Sequence, residues 1–89
     1  MKVEFDPAKS EANIRERGLA FDLVAEFDFD EAWIVIDDRQ DYGELRYRAI
    51  GPLGSEIVAV VFTLRKDALR VISLRHASRR ERQRYNEKS

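Results

Sequence analysis

The chain has no cysteine, which removes disulfides, thiolate metal sites and thiol nucleophiles at once. It has one histidine, His76, with no partner at a triad-like sequence position beside it. His76 can serve as a general acid or base, but a lone histidine is more often structural. The longest apolar run is Ile57-Val58-Ala59-Val60-Val61-Phe62, far short of a membrane span. The opening Met1-Lys2-Val3-Glu4-Phe5-Asp6 lacks the apolar stretch of a secretory leader, so the expected location is the cytoplasm. Proline and glycine are few, at two and four, and there is no repeat, linker or low-complexity stretch. Residues 1–89 therefore read as one small domain.

What the chain has is charge, at 37% of its residues, unevenly distributed. The net value of −1 hides a split: residues 1–44 hold 5 Lys/Arg and 13 Asp/Glu, a balance of −8. Residues 45–89 hold 11 and 4, a balance of +7. A basic half of this kind suits a polyanion, although the two halves can also simply neutralise each other in the fold.

The pattern along the chain predicts an α+β fold in the order βααββββα, with a central antiparallel sheet packed by helices. Val3-Glu4-Phe5 is a short strand. Asp6-Pro7 opens a helix that runs to about Arg17 and stops at Gly18. A second short helix spans about Phe21 to Phe27. Strands follow at Ala32 to Ile36, Leu45 to Ile50, Ile57 to Leu64 and Leu69 to Leu74. The third of these is apolar on both faces and belongs at the centre of the sheet. The short links imply antiparallel neighbours, with Pro52-Leu53-Gly54-Ser55 forming one turn. Ser78-Arg79-Arg80-Glu81 matches a capping box and starts the last helix.

Arginine dominates the candidate chemistry. Alternation sends Arg46 and Arg48 to one strand face, a pair of forks for phosphate oxygens or a solvated face with carboxylate neighbours. Arg65 closes the central strand, and Arg70 and Arg75 belong to the next. Strict alternation puts Arg75 with Leu69, Val71 and Ser73, and Arg70 on the other side with Ile72 and Leu74. Each is an anion anchor or a snorkelling edge residue. The last helix carries Arg79, Arg80, Arg82 and Arg84, with little apolar stripe beyond Ala77 and Tyr85. Such a helix is either a contact for phosphate or an acidic partner, or a frayed tail. Asp37, Asp38, Asp41 and Glu44 form an acidic loop whose spacing misses the EF-hand pattern, so it reads as a polar turn. No metal or other cofactor is expected.

Several segments taken together resemble one family. They are Val3 to Lys9, Asn13-Ile14-Arg15 with Gly18, Phe21-Asp22, Arg48-Ala49-Ile50-Gly51 and Phe62-Thr63-Leu64-Arg65. Arg70 to Arg75 and Ala77-Ser78-Arg79-Arg80-Glu81-Arg82 to Tyr85 continue the succession. It is similar to the BrnT family, the toxin half of bacterial BrnT/BrnA pairs. The resemblance implies a RelE-like fold and an endoribonuclease that inhibits translation. Cutting would proceed by attack of the ribose 2′-hydroxyl on the neighbouring phosphate, without metal. It also implies neutralisation by a BrnA-like ribbon-helix-helix antitoxin, in a heterotetramer that represses its operator DNA. On this reading Arg65, Arg75 and Arg80 stabilise the phosphorane, while Arg17, Arg46, Arg48, Arg79 and Tyr85 hold RNA, Tyr85 by stacking on a base. One departure stands out. Many members read Lys-His-Gly where this chain has Glu16-Arg17-Gly18, and arginine cannot exchange a proton as histidine does. The alternative is a catalytically weakened homologue that grips its antitoxin and helps to repress the operon. A purely structural domain would leave the charge split unexplained.

Overall fold

A computed structural model of the chain describes residues 2–88. The elements are β1 (Lys2–Glu4), α1 (Pro7–Arg17), a 3-10 helix (Phe21–Glu26), β2 (Trp33–Ile36), β3 (Tyr47–Leu53), β4 (Glu56–Arg65), β5 (Ala68–His76) and α2 (Arg79–Lys88). The expected order holds, and the second helix is a 3-10 helix. The sheet runs β1-β5-β4-β3-β2, which puts β4 at its centre. It is mixed rather than wholly antiparallel: β1 pairs with β5 in parallel, because α1 and the three hairpin-linked strands intervene between them. β2, β3, β4 and β5 pair antiparallel in succession.

Local chemistry explains the boundaries. The Asp6 side chain accepts the Ala8 N–H at 2.9 Å with Pro7 at the helix start, and Gly18 closes α1 in the left-handed region at φ 72°. β3 runs through Pro52 and Leu53, leaving only Gly54-Ser55 to turn. Pro52 is tolerated because β2 pairs only with Tyr47–Ile50. Its carbonyl faces that vacated edge and accepts the Asp28 N–H at 3.1 Å, so the missing N–H also points away from β4.

The two faces of the sheet differ. One buries Ala49, Val58, Val60, Phe62, Leu69, Val71 and Leu74 against Leu19, Phe21, Val24 and Phe27. The other carries a smaller cluster in which Ala77 and Tyr85 pack on Ile50 and Ala59, with Trp33 and Ile57 alongside. α1 packs at the edge of β5 beyond β1. Its Asn13 side chain donates to the Leu19 carbonyl at 2.8 Å and the Leu74 carbonyl at 2.9 Å, and Ser10 Oγ accepts the Phe21 N–H.

Candidate functional site

The arginines are organised by a break in strand alternation. Val61 pairs with Ser73 and Phe62 with Val71, so Ile72 is an extra residue on β5. The slip corrects the expected faces. Leu69, Val71 and Leu74 all point into the main core, whereas Arg70, opposite Thr63, and Arg75, opposite Ala59, share the other face. That face is the one that receives α2. Across it run two adjacent rows, Arg75-Ala59-Ile50-Trp33 and Ser73-Val61-Arg48-Val35. α2 covers the first row and not the second. With strands spaced at roughly 4.8 Å, the Arg48 and Arg75 backbones stand about 12 Å apart, within reach of two long side chains.

Arg75 is the most constrained of the set. Its guanidinium donates to both Glu81 carboxylate oxygens, at 2.6 and 2.8 Å. Glu81 also accepts the Ser78 N–H at 2.8 Å, and Ser78 Oγ accepts the Glu81 N–H at 3.1 Å. The capping box is therefore made, and its acid also orients an arginine on the sheet. Hydrogen bonding from Arg75 holds the Glu81 carboxyl at about 2, so it is a poor proton acceptor at neutral pH.

Arg48 has the opposite environment. Its Nε is buried with no hydrogen-bond partner. A desolvated guanidinium N–H without an acceptor is costly, and a bound anion would relieve that cost. Arg39 belongs to the same side of the sheet, since it binds Asp37, which follows Val35 on that face by alternation and whose N–H donates to the Arg46 carbonyl at 2.8 Å. It is fixed by a bidentate bond to Asp37 at 2.7 and 2.8 Å, with the Tyr42 hydroxyl donating to the same carboxylate at 3.2 Å. The Arg39 bond holds the Asp37 carboxyl at about 2. Asp37 is buried beneath its own loop, so it organises the turn around an arginine.

The remaining candidates disperse. Arg65 stands at the far end of β4 and pairs with Glu44 at 3.3 Å, which also pairs with Arg46. Arg70 pairs loosely with Glu4 at 3.8 Å. Arg79 and Arg80 are exposed in the first turn of α2, and neither has an ion-pair partner among the described residues. Arg17 lies one turn beyond Asn13 on the same side of α1, near the β5 edge and not on the sheet face. His76, opposite Val58, faces the main core side, away from the arginines. Tyr85 corrects a further expectation. It is buried, and its hydroxyl donates to the Glu31 carbonyl at 2.8 Å, so its ring anchors α2 and is not free to stack on a base. Burial, with Glu31 and Asp28 nearby, pushes its phenol up. Two aromatics meet cations face-on: Trp33 lies beneath Arg84 and Lys88, and Tyr42 beneath Arg46. Sequence reasoning passed over Arg39, and only the Asp37-x-Arg39 spacing hinted at it.

A family model described as the ribonuclease toxin BrnT of type II toxin–antitoxin systems matches residues 5–81. The chain belongs to this family. The match takes in every strand from β2 to β5, Arg48, Arg75 and the Ser78–Glu81 box, and ends before Tyr85. BrnT membership makes the chain a ribonuclease toxin of a type II pair, with RNA as its target and a protein antitoxin as its partner. No curated protein matches the chain. No helix among the described residues is long and apolar enough to cross a membrane.

Proposed function

We propose that this BrnT-family chain cuts RNA on the arginine face of its sheet, by attack of a ribose 2′-oxygen on the adjacent phosphorus. The 5′-oxygen leaves and takes up a proton, the 2′-hydroxyl proton departs to solvent, and a cyclic phosphate remains. Arg48 carries the reading: a guanidinium with a buried, unpartnered Nε, on the uncovered row beside Arg75. A pentacoordinate phosphate gains charge on its equatorial oxygens, and fixed guanidinium donors stabilise that charge more than the ground state. Arg75 and Arg80 keep the role expected of them, and Arg48 takes the one expected of Arg65, whose guanidinium meets Glu44. Arg39, Arg46 and Arg79 position the RNA backbone. The sheet and helix arrangement is consistent with a RelE-like toxin. A BrnA-like ribbon-helix-helix antitoxin in a cytoplasmic heterotetramer that represses operator DNA completes the reading.

The test is cleavage of a defined RNA by the purified chain, with end mapping. Arg48→Ala and Arg75→Ala should each cut about 100-fold more slowly while unfolding as cooperatively as the parent. Parental rates in both variants would sink the assignment.

Two observations favour the second reading, a weakened toxin that mainly grips its antitoxin. Arg75 is already held by a carboxylate, and no histidine lies on the arginine face among the described residues. Failure of the chain alone to arrest growth at a soluble, folded level would select this reading.

A further inference from the structure

The proposed reaction needs more than cations. Guanidiniums only donate hydrogen bonds, and an attacking 2′-hydroxyl also needs an acceptor to hold it in place. The carboxylates near the arginine face are each taken by a guanidinium: Glu81 by Arg75, Asp37 by Arg39, Glu44 by Arg46 and Arg65, and Glu4 by Arg70. Thr63 is buried and its hydroxyl donates to the Leu45 carbonyl at 2.7 Å. Ser78 Oγ accepts the Glu81 N–H. Ser73 remains. It is half-buried on the uncovered row, and among the described residues its hydroxyl has no hydrogen-bond partner.

The bulge on β5 is what puts it there. With strict alternation from Val71, Ser73 would point into the main core. The extra residue at Ile72 turns it to the face of Arg75, two positions further along the strand. Across the row Ser73 stands opposite Val61, with Arg48 beyond on β3. Strand geometry places the Ser73 backbone about 7 Å from that of Arg75 and about 10 Å from that of Arg48. One short hydroxyl and two long guanidinium arms therefore border the same patch of sheet at Val61. A phosphate gripped by both arginines carries its 3′-linked ribose within reach of Ser73.

We propose that Ser73 recognises the ribose 2′-hydroxyl and so restricts the site to RNA. Its Oγ accepts the hydrogen bond of that hydroxyl and aims the 2′-oxygen at the phosphorus held by Arg48 and Arg75. Ser73 orients the nucleophile and does not keep the proton, which still departs to solvent. The inference rests on the arginine-face reading and adds to it the group that tells RNA from DNA.

The probes are ligands that cannot be cut: the four nucleoside 3′-monophosphates and their 2′-deoxy counterparts, titrated into the purified chain and followed by nuclear magnetic resonance. The parent should bind the best ribonucleotide about 3–10-fold more tightly than its deoxy form, the value of one hydrogen bond. Ser73→Val and Ser73→Thr have the same shape and both suit a strand, so they differ only by the hydroxyl. The Thr variant should keep the preference, and the Val variant should bind both forms as the parent binds the deoxy one. In cleavage of a defined RNA, Ser73→Val should lower kcat about tenfold with KM little changed, and Ser73→Thr should retain the parental rate. No binding of any nucleotide, a parent without preference, or a preference that survives in Ser73→Val would overturn the inference. So would a parental kcat in Ser73→Val, or an equal loss of affinity for both forms, which would make Ser73 a phosphate ligand. If the preference depends on Ser73 while the parent cuts no RNA, the nuclease reading fails and the 2′-hydroxyl site stands.

Discussion

Removing the Glu81 carboxylate tests how far one residue ties the last helix to the sheet. A carboxyl held at about 2 against an ordinary 4.5 is worth at most about 3 kcal/mol. The pair is partly wet, with 33% of the Arg75 side chain and 20% of the Glu81 side chain exposed. Screening therefore brings the pair to roughly 1 kcal/mol. The capping box adds about 1 kcal/mol. Glu81→Ala should then lose about 2 kcal/mol, which for a domain of this size lowers the unfolding midpoint by about 8–16 °C. Ser78→Ala removes only the cap and should cost about half as much. The sign of the pH dependence follows from the depressed carboxyl. Its stabilisation is fully present above about 4.5 and is lost as pH falls through about 2. Thermal unfolding followed by circular dichroism at pH 7, 4 and 2.5 measures both effects. The parent should converge on Glu81→Ala as pH falls across that window. Equal midpoints for the two at pH 7, or a constant gap down to pH 2.5, would refute the reasoning.

Further expectations concern packing and the cost of the site. Arg48→Met removes a buried N–H without an acceptor, so urea unfolding should show stability equal to or above the parent's even as RNA cleavage falls. Asn13→Ala leaves the Leu19 and Leu74 carbonyls without their donor in a buried position, and should cost about 2 kcal/mol in the same assay. Gly51→Ala places a Cβ 2.9 Å from that of Ala32 and 3.1 Å from the Phe27 ring, and should destabilise by about 1–3 kcal/mol. A midpoint unchanged from the parent would contradict either of the last two.

Much was legible where the signal was local. The Asp6-Pro7 start, the Gly18 stop and the Ser78–Glu81 box each depend on residues within one turn, and all three form as read. The centrality of β4 followed from its apolar character on both faces, and it holds. Tyr85 was misread because α2 looks polar by composition. Its single buried ring is enough to seat the helix once Ile50, Ala59 and Trp33 provide a surface. Arg39 was missed because nothing in the sequence says which of several loop acids will be buried and recruit it.

The sequence by itself determined the kind of molecule: a cysteine-free α+β chain, acidic in its first half and basic in its second, with arginine as its main chemical resource. The family succession follows from the same residues. Which arginines act together was decided only by tertiary pairing. Alternation is a period of two, and one extra residue at Ile72 reverses it for everything after. That reversal puts Arg70 and Arg75 on the face of Arg48, because the strand must keep both Val71 and Leu74 in the core.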